Sequence, residues 1–258
     1  SETPMRVTST DAGPVVERIG ESVEGRAIQR YTYGSGDTHI LFVGGVHGGY
    51  EWNSVVLAYK FIDYFNADAS RVPEGVTVTI VPSLNPHGVY EVVGVEGRFA
   101  QHNVQESSEA LGRFNAHGVD LNRNFDCKWQ PKSYWRGSEV SAGDEPFSEP
   151  EAQALRNLVA NQAPAVVVFW HSQANAVYAS ECKQGILPAT RVAMEAYAKA
   201  AGYQAIESFD AYAISGDAEG WLASLGIPAI TVELASHSTI EWEKNLRGVR
   251  ALLNAFSD

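Results

Sequence analysis

Three largely apolar runs, Ile40–Val46, Ala165–Trp170 and Ile227–Val232, each lead directly into an ionisable side chain: His47, His171 and Glu233. Runs of this length, rich in branched residues and without polar alternation, are expected as strands covered on both faces. Val15–Ile19, Ala27–Tyr33 and Val76–Val81 read as further strands. Helical patterns lie between them. Glu51–Phe65 places Val55, Tyr59 and Ile62 on one face. Ser148-Glu149-Pro150-Glu151 forms a capping box with proline in the first turn, which starts a helix running to about Val159. Ala189–Ala201, Ala218–Leu225 and Thr239–Phe256 complete the set. Strands interleaved with helices predict an α/β sandwich around a mixed, largely parallel sheet. No repeat or low-complexity linker interrupts the chain, so residues 1–258 are expected to form a single domain. Residues 83–147 carry few periodic elements and many Gly, Asn and Ser, and a long irregular stretch inside a domain is usually functional.

In open α/β sheets, ligands bind at the carboxyl ends of the strands. If the three apolar strands are parallel neighbours, two imidazoles and a carboxylate converge on one crevice. His47 sits in Gly44-Gly45-Val46-His47-Gly48-Gly49-Tyr50-Glu51, where glycines let the backbone turn sharply and Glu51 follows at a helix start. Two histidines and a glutamate are the donor set of a catalytic zinc ion that keeps one position for water. The same residues also fit a glycine-rich turn with an acid placed favourably on a helix dipole. Glu233 suits a general base, or a solvated acid where a strand emerges. Asp120-Leu121-Asn122-Arg123-Asn124-Phe125-Asp126 offers the planar guanidinium fork that grips a carboxylate, or an Asx-rich turn held by its own side chains.

Nineteen Lys and Arg against 31 Asp and Glu give a formal charge of −12, which repels nucleic acid and anionic membranes and favours cationic substrates. No apolar stretch approaches the roughly 18 residues of a membrane span. Cys127 and Cys182 form no CxxC pair and leave two readings open, free thiols or a single bridge in an exported protein.

Taken in order, these pieces resemble the zinc carboxypeptidase family typified by the pancreatic enzymes. The similarity runs through Ile19-Gly20-Glu21-Ser22-Val23-Glu24-Gly25-Arg26, the His47 turn, Asn85-Pro86-His87-Gly88, Gly118-Val119-Asp120-Leu121-Asn122-Arg123-Asn124-Phe125, Phe147-Ser148-Glu149-Pro150-Glu151, His171-Ser172 and Thr231-Val232-Glu233-Leu234. The resemblance implies an eight-stranded mixed sheet flanked by helices. It implies one zinc ion held by His47, Glu51 and His171, with Glu233 as general base. Asn122 and Arg123 would grip the free C-terminal carboxylate of a peptide substrate. Tyr212 matches the family's mobile tyrosine, and Arg113 its oxyanion arginine, with Arg98 as the rival for that role. A non-proline cis peptide is implied at Ser172–Gln173. The spacing departs from the family's His-x-x-Glu by one residue, and the substrate-contacting arginine that many members carry in that segment is missing.

Glu219 falls at the position that helps set preference for the terminal side chain, with Asp217 beside it. These acids would favour a terminal Lys, Arg or diaminopimelate, or they would only charge the start of the helix Ala218–Leu225. The family resemblance further implies an extracytoplasmic location and, for a bacterial member of this size, cell-wall peptides. An N-acyl amino acid deacylase of the same superfamily and a non-catalytic homologue are the competing functions.

Overall fold

The computed structural model describes residues 13–105, 110–208 and 214–257. Its strands are β1 (Val15–Glu21), β2 (Ala27–Gly34), β3 (Thr38–Val43), β4 (Val76–Val81), β5 (Lys132–Trp135), β6 (Ser138–Ser141), β7 (Val166–Ser172), β8 (Ala176–Ala179), β9 (Gln204–Ile206) and β10 (Ala229–Leu234). Its helices are α1 (Trp52–Ala67), α2 (Pro86–Val93), α3 (Pro150–Gln162), α4 (Pro188–Ala201), α5 (Ala218–Ser224) and α6 (Trp242–Ala255). Eight strands form one sheet in the order β1-β2-β4-β3-β7-β10-β8-β9, and β5 and β6 form a separate hairpin. The central strands β4, β3, β7 and β10 are mutually parallel. The pairings β1–β2, β2–β4 and β8–β10 are antiparallel, so the sheet is mixed as expected.

Strand periodicity builds two cores from the same residues. Along β3, Ile40 and Phe42 face one side and Leu41 and Val43 the other; along β7, Val166, Val168 and Trp170 alternate with Val167 and Phe169. The first set packs under α1, α2, α4 and α6, the second under α3 and α5. Trp170 stacks between Phe42 and Phe61, with 5.2 Å between centroids on each side. Fully burying a side chain of this kind contributes on the order of 2 kcal/mol. Among the described residues no helix is long and apolar enough to cross a membrane.

Several boundaries differ from the sequence reading in ways that matter to the site. β3 stops at Val43 because Gly44 and Gly45 leave the sheet. A Cβ on Gly44 would stand 2.8 Å from the Pro82 carbonyl oxygen, and Gly45 has φ +60°. β7 and β10 each run two residues further than expected, so His171 and Glu233 lie within strands rather than past them. The expected irregular stretch 83–147 contains α2 and the β5–β6 hairpin. Asn85 caps α2 by accepting a hydrogen bond from Gly88 N at 2.9 Å, with Pro86 in the first turn. That Asn-Pro pair is a helix-start signal in its own right. The hairpin turns through Arg136 and Gly137, at φ +50° and +80°.

A candidate metal centre and the cleft around it

Parallel pairing places Val43 beside Phe169, and His171 beside Glu233. The glycines after β3 then carry His47 over the same sheet end. Residues Gly48–Glu51 form a tight 3-10 turn before α1. Gly48 has φ +47°, and a Cβ there would meet the Gly112 carbonyl oxygen at 2.6 Å. The extra residue between His47 and Glu51 is absorbed in this glycine turn, and the Glu51 side chain still reaches back to the histidine.

His47 Nδ1 lies 2.8 Å from Glu51 Oε1, His171 Nδ1 lies 2.9 Å from Glu51 Oε2, and the two Nδ1 atoms are 3.2 Å apart. All three residues are buried. Zinc bonded to such donors at about 2.0–2.1 Å in a tetrahedron separates them by about 3.3 Å. The separation of the two ring nitrogens is close to what zinc requires, and each Glu51 oxygen faces one of the rings. The chemistry of this triangle fits as well: two imidazole nitrogens and a carboxylate oxygen, with room for a fourth ligand. A shared cation satisfies all three donors, whereas without one two buried ring nitrogens face each other across a carboxylate.

A carboxylate stands behind each ring. His47 Nε2 is 3.3 Å from Asp120 Oδ1, and His171 Nε2 is 3.3 Å from Glu219 Oε1. Asp120 is fully buried and accepts from Arg113 Nε at 3.0 Å and Nη2 at 2.7 Å. Burial opposes its ionisation, but the Arg113 guanidinium prevails and holds the Asp120 carboxyl well below the usual range. Sequence reading gave Asp120 no role. Its position two residues before Asn122 was the available signal.

Glu233 is half-buried, and its Oε2 has no hydrogen-bond partner among the described residues. Burial, and next the charge of Glu51, push its carboxyl up to about 8. A dication at the neighbouring triangle acts in the opposite direction. The donor set and this carboxyl thus share one end of the sheet, His171 and Glu233 being paired neighbours on β7 and β10.

Asn122 and Arg123 sit on the 3-10 turn Leu121–Arg123. Asn122 Oδ1 accepts from Ala218 N at 2.9 Å, and its Nδ2 makes no protein hydrogen bond among the described residues. Arg123 donates through Nη1 to the Asn122 carbonyl at 2.7 Å, while its buried Nε is unpartnered. Asp217 caps α5 by accepting from Gly220 N at 2.7 Å. Glu219 Oε1 accepts from Thr231 Oγ1 at 3.0 Å and faces His171, so this oxygen is engaged on both sides.

These residues line one cavity of about 550 Å³ that takes in the donor triangle, Glu233, Arg113, Asn122, Arg123, Asp217 and Glu219. Arg98 is not among its lining; it pairs with Asp63 at 2.8 Å on the outside of α1. Tyr212 lies outside the described residues. The Ser172–Gln173 peptide is cis, as the resemblance implied. Cys127, which lines the cavity, is joined to Cys182 in a disulfide. Opposite α5 the cleft has an aromatic wall that the sequence did not foretell. Tyr50 packs edge-on against Trp135 at 5.1 Å, and Arg113 and Arg136 lie over Trp135 at 4.5 and 5.3 Å. Tyr50 stands in the segment where the family's substrate arginine is missing.

The family model for zinc carboxypeptidases matches residues 14–247. The γ-D-glutamyl-L-diamino acid endopeptidase 1 of Lysinibacillus sphaericus is 25% identical over 240 residues, covering 84% of this chain and 60% of that protein. The murein peptide amidase A of Escherichia coli K12 is 30% identical over 177 residues, covering 63% and 64%. This chain thus spans less than two thirds of the length of either relative. The solved murein-tripeptide amidase of Escherichia coli O157 superposes with a TM-score of 0.65 at 24% identity, over 98% of this chain and 97% of that one. Matched by the family model over nearly its whole length, the chain belongs to the zinc carboxypeptidase family.

Proposed function

We propose that this protein is a zinc-dependent hydrolase that cleaves the peptide or amide bond next to a free C-terminal carboxylate. The observation that carries the reading is the buried His47–Glu51–His171 triangle beside Glu233, with Asn122 Nδ2, free of hydrogen bonds among the described residues, and the Arg123 guanidinium in the same cavity. His47, Glu51 and His171 would hold zinc, which would supply Lewis acidity for activating water and polarising the scissile carbonyl. Glu233 takes the proton from the attacking water and passes it to the leaving amine. Arg113, oriented by Asp120, presents Nη1 to the oxygen on which charge develops. Asn122 Nδ2 and Arg123 bind the terminal carboxylate. Tyr212 is assigned to closure over the bound end on the family resemblance alone.

The terminal residue is proposed to carry an ammonium or guanidinium group: Lys, Arg or the diaminopimelate of a cell-wall peptide. Asp217 in the cavity supports this, as does the net charge of −12. Two relatives named for diamino acid and murein peptides support the cell-wall member of that group. The disulfide suits an oxidising, extracytoplasmic location.

The test is hydrolysis of peptides differing only in the last residue, cell-wall tripeptides included, together with metal analysis. Glu233→Gln should retain stoichiometric zinc and lose hydrolysis, whereas His171→Ala should lose both. Turnover by Glu233→Gln at the wild-type rate would remove the base assignment. Activity confined to N-acyl amino acids would instead mark a deacylase.

A further inference from the structure

We propose that Glu219 is a positioning residue for His171: it fixes the ring so that Nδ1 faces the metal, and it is not the acid that reads the substrate's terminal side chain. This rests on the assignment of His171 as a metal ligand. His171 Nδ1 points at Glu51 Oε2, 2.9 Å away, and at His47 Nδ1. A neutral imidazole that offers Nδ1 to a cation carries its proton on Nε2 and must donate it. Nε2 is buried and makes no hydrogen bond of normal geometry among the described residues; the carboxylate oxygen within reach of it is Glu219 Oε1, at 3.3 Å, close enough that a small turn of the ring completes the bond. The other histidine has the same arrangement, with Asp120 Oδ1 at 3.3 Å from His47 Nε2. Each imidazole of the triangle thus has a buried carboxylate oxygen 3.3 Å from its Nε2, the pairing that, once hydrogen-bonded, fixes tautomer and orientation at metal sites.

Glu219 is itself held in place from three sides. Thr231, two residues before Glu233 on β10, donates to the same Oε1 at 3.0 Å. Asp217 caps the turn that carries Glu219 through Gly220 N at 2.7 Å. Asn122 Oδ1 holds Ala218 N at 2.9 Å. Only 4% of Glu219 is exposed. A carboxylate fixed in this way has its direction set by β7 and β10 before any substrate arrives. Asp217, the neighbouring acid, has no histidine partner among the described residues and lines the same cavity, where it is left to serve the pocket.

The measurement is zinc affinity by competition with a chromophoric chelator, in wild type, Glu219→Ala, Glu219→Gln and Thr231→Val. Glu219→Ala should weaken zinc binding roughly 10- to 100-fold. Glu219→Gln should recover part of the loss, because its amide oxygen still accepts from Nε2. Thr231→Val should fall between wild type and Glu219→Ala. The visible spectrum of the cobalt(II)-substituted protein should shift in Glu219→Ala, since a freed imidazole changes the ligand field. At saturating zinc, the ratio of kcat/KM for Lys-ended over Leu-ended peptides should be unchanged in Glu219→Gln. An unaltered zinc affinity in a folded Glu219→Ala would overturn the proposal. So would a collapsed Lys-to-Leu ratio with affinity intact, which would return Glu219 to the pocket. If Glu219→Ala does not fold, Glu219→Gln and Thr231→Val decide by the same readouts. Wild type that takes up no zinc fails earlier and sinks the metal reading along with this one.

Discussion

Asp217 and Glu219 are two residues apart on the first turn of α5, yet their surroundings push them in opposite directions. Burial, and then the charge of Glu219, raise the Asp217 carboxyl to about 6. Burial also disfavours ionised Glu219, but contact with the His171 ring holds that carboxyl below its usual value. Asp217 therefore carries charge above about pH 6 and loses it below, whereas Glu219 keeps its charge across that window. If Asp217 faces the substrate's cationic end, the preference for Lys-ended over Leu-ended peptides should weaken as pH falls through about 6. Taking the ratio of the two substrates cancels the titration of Glu233, which both require. Asp217→Asn should give a low ratio at every pH. A wild-type ratio that stays flat from acid to alkaline pH would exclude Asp217 from the pocket.

At the scale of elements, what could be read in advance was whatever a strand or helix announces locally. The apolar runs into His47, His171 and Glu233 fixed three strands and three polar side chains, and parallel register then brought those side chains together. Asn-Pro at 85–86 announces α2, and Val89, Val92 and Val93 at helical spacing supply its buried face, a signal shortened to eight residues inside a stretch otherwise rich in Gly, Asn and Ser. The backing of His171 by Glu219 and the wall of Tyr50, Trp135 and Arg136 left no such trace, since both depend on how distant segments dock. The pairing of Cys127 with Cys182 is of the same kind: it spans 55 residues and depends on the loop after the Leu121–Arg123 turn meeting the segment after β8. The bridge packs against α5, where a Cβ on Gly220 would lie 3.0 Å from Cys127 Sγ. Closing a loop of that length stabilises a fold by about 4 kcal/mol in the chain-entropy account. Changing both cysteines to serine should therefore lower the melting temperature by roughly 10 °C for a domain of this size. Calorimetry of the double variant measures this, and a melt within a degree or so of wild type would mean that the bridge adds no net stability.

For the whole molecule, the sheet separates two hydrophobic cores that meet only through the strands themselves. The donor triangle sits where those strands end and draws on two separate parts of the chain: the turn from His47 to Glu51 between β3 and α1, and β7. Asp120 and Glu219, behind the rings, extend the connection to the Leu121–Arg123 turn and to α5. The unfolded chain has no such site, so binding free energy at the triangle adds to folding stability. Zinc at about 1,000 times its dissociation constant contributes about 4 kcal/mol. In a domain of this length that corresponds to a rise in melting temperature on the order of 10 °C. Chelation should reverse the rise, Glu233→Gln should keep it because it removes no donor, and His171→Ala should abolish it. Melting curves recorded with zinc and with chelator separate the two cases: coincident wild-type curves would leave the triangle a structural cluster, because a resident ion cannot bind the folded state selectively and leave its stability unchanged.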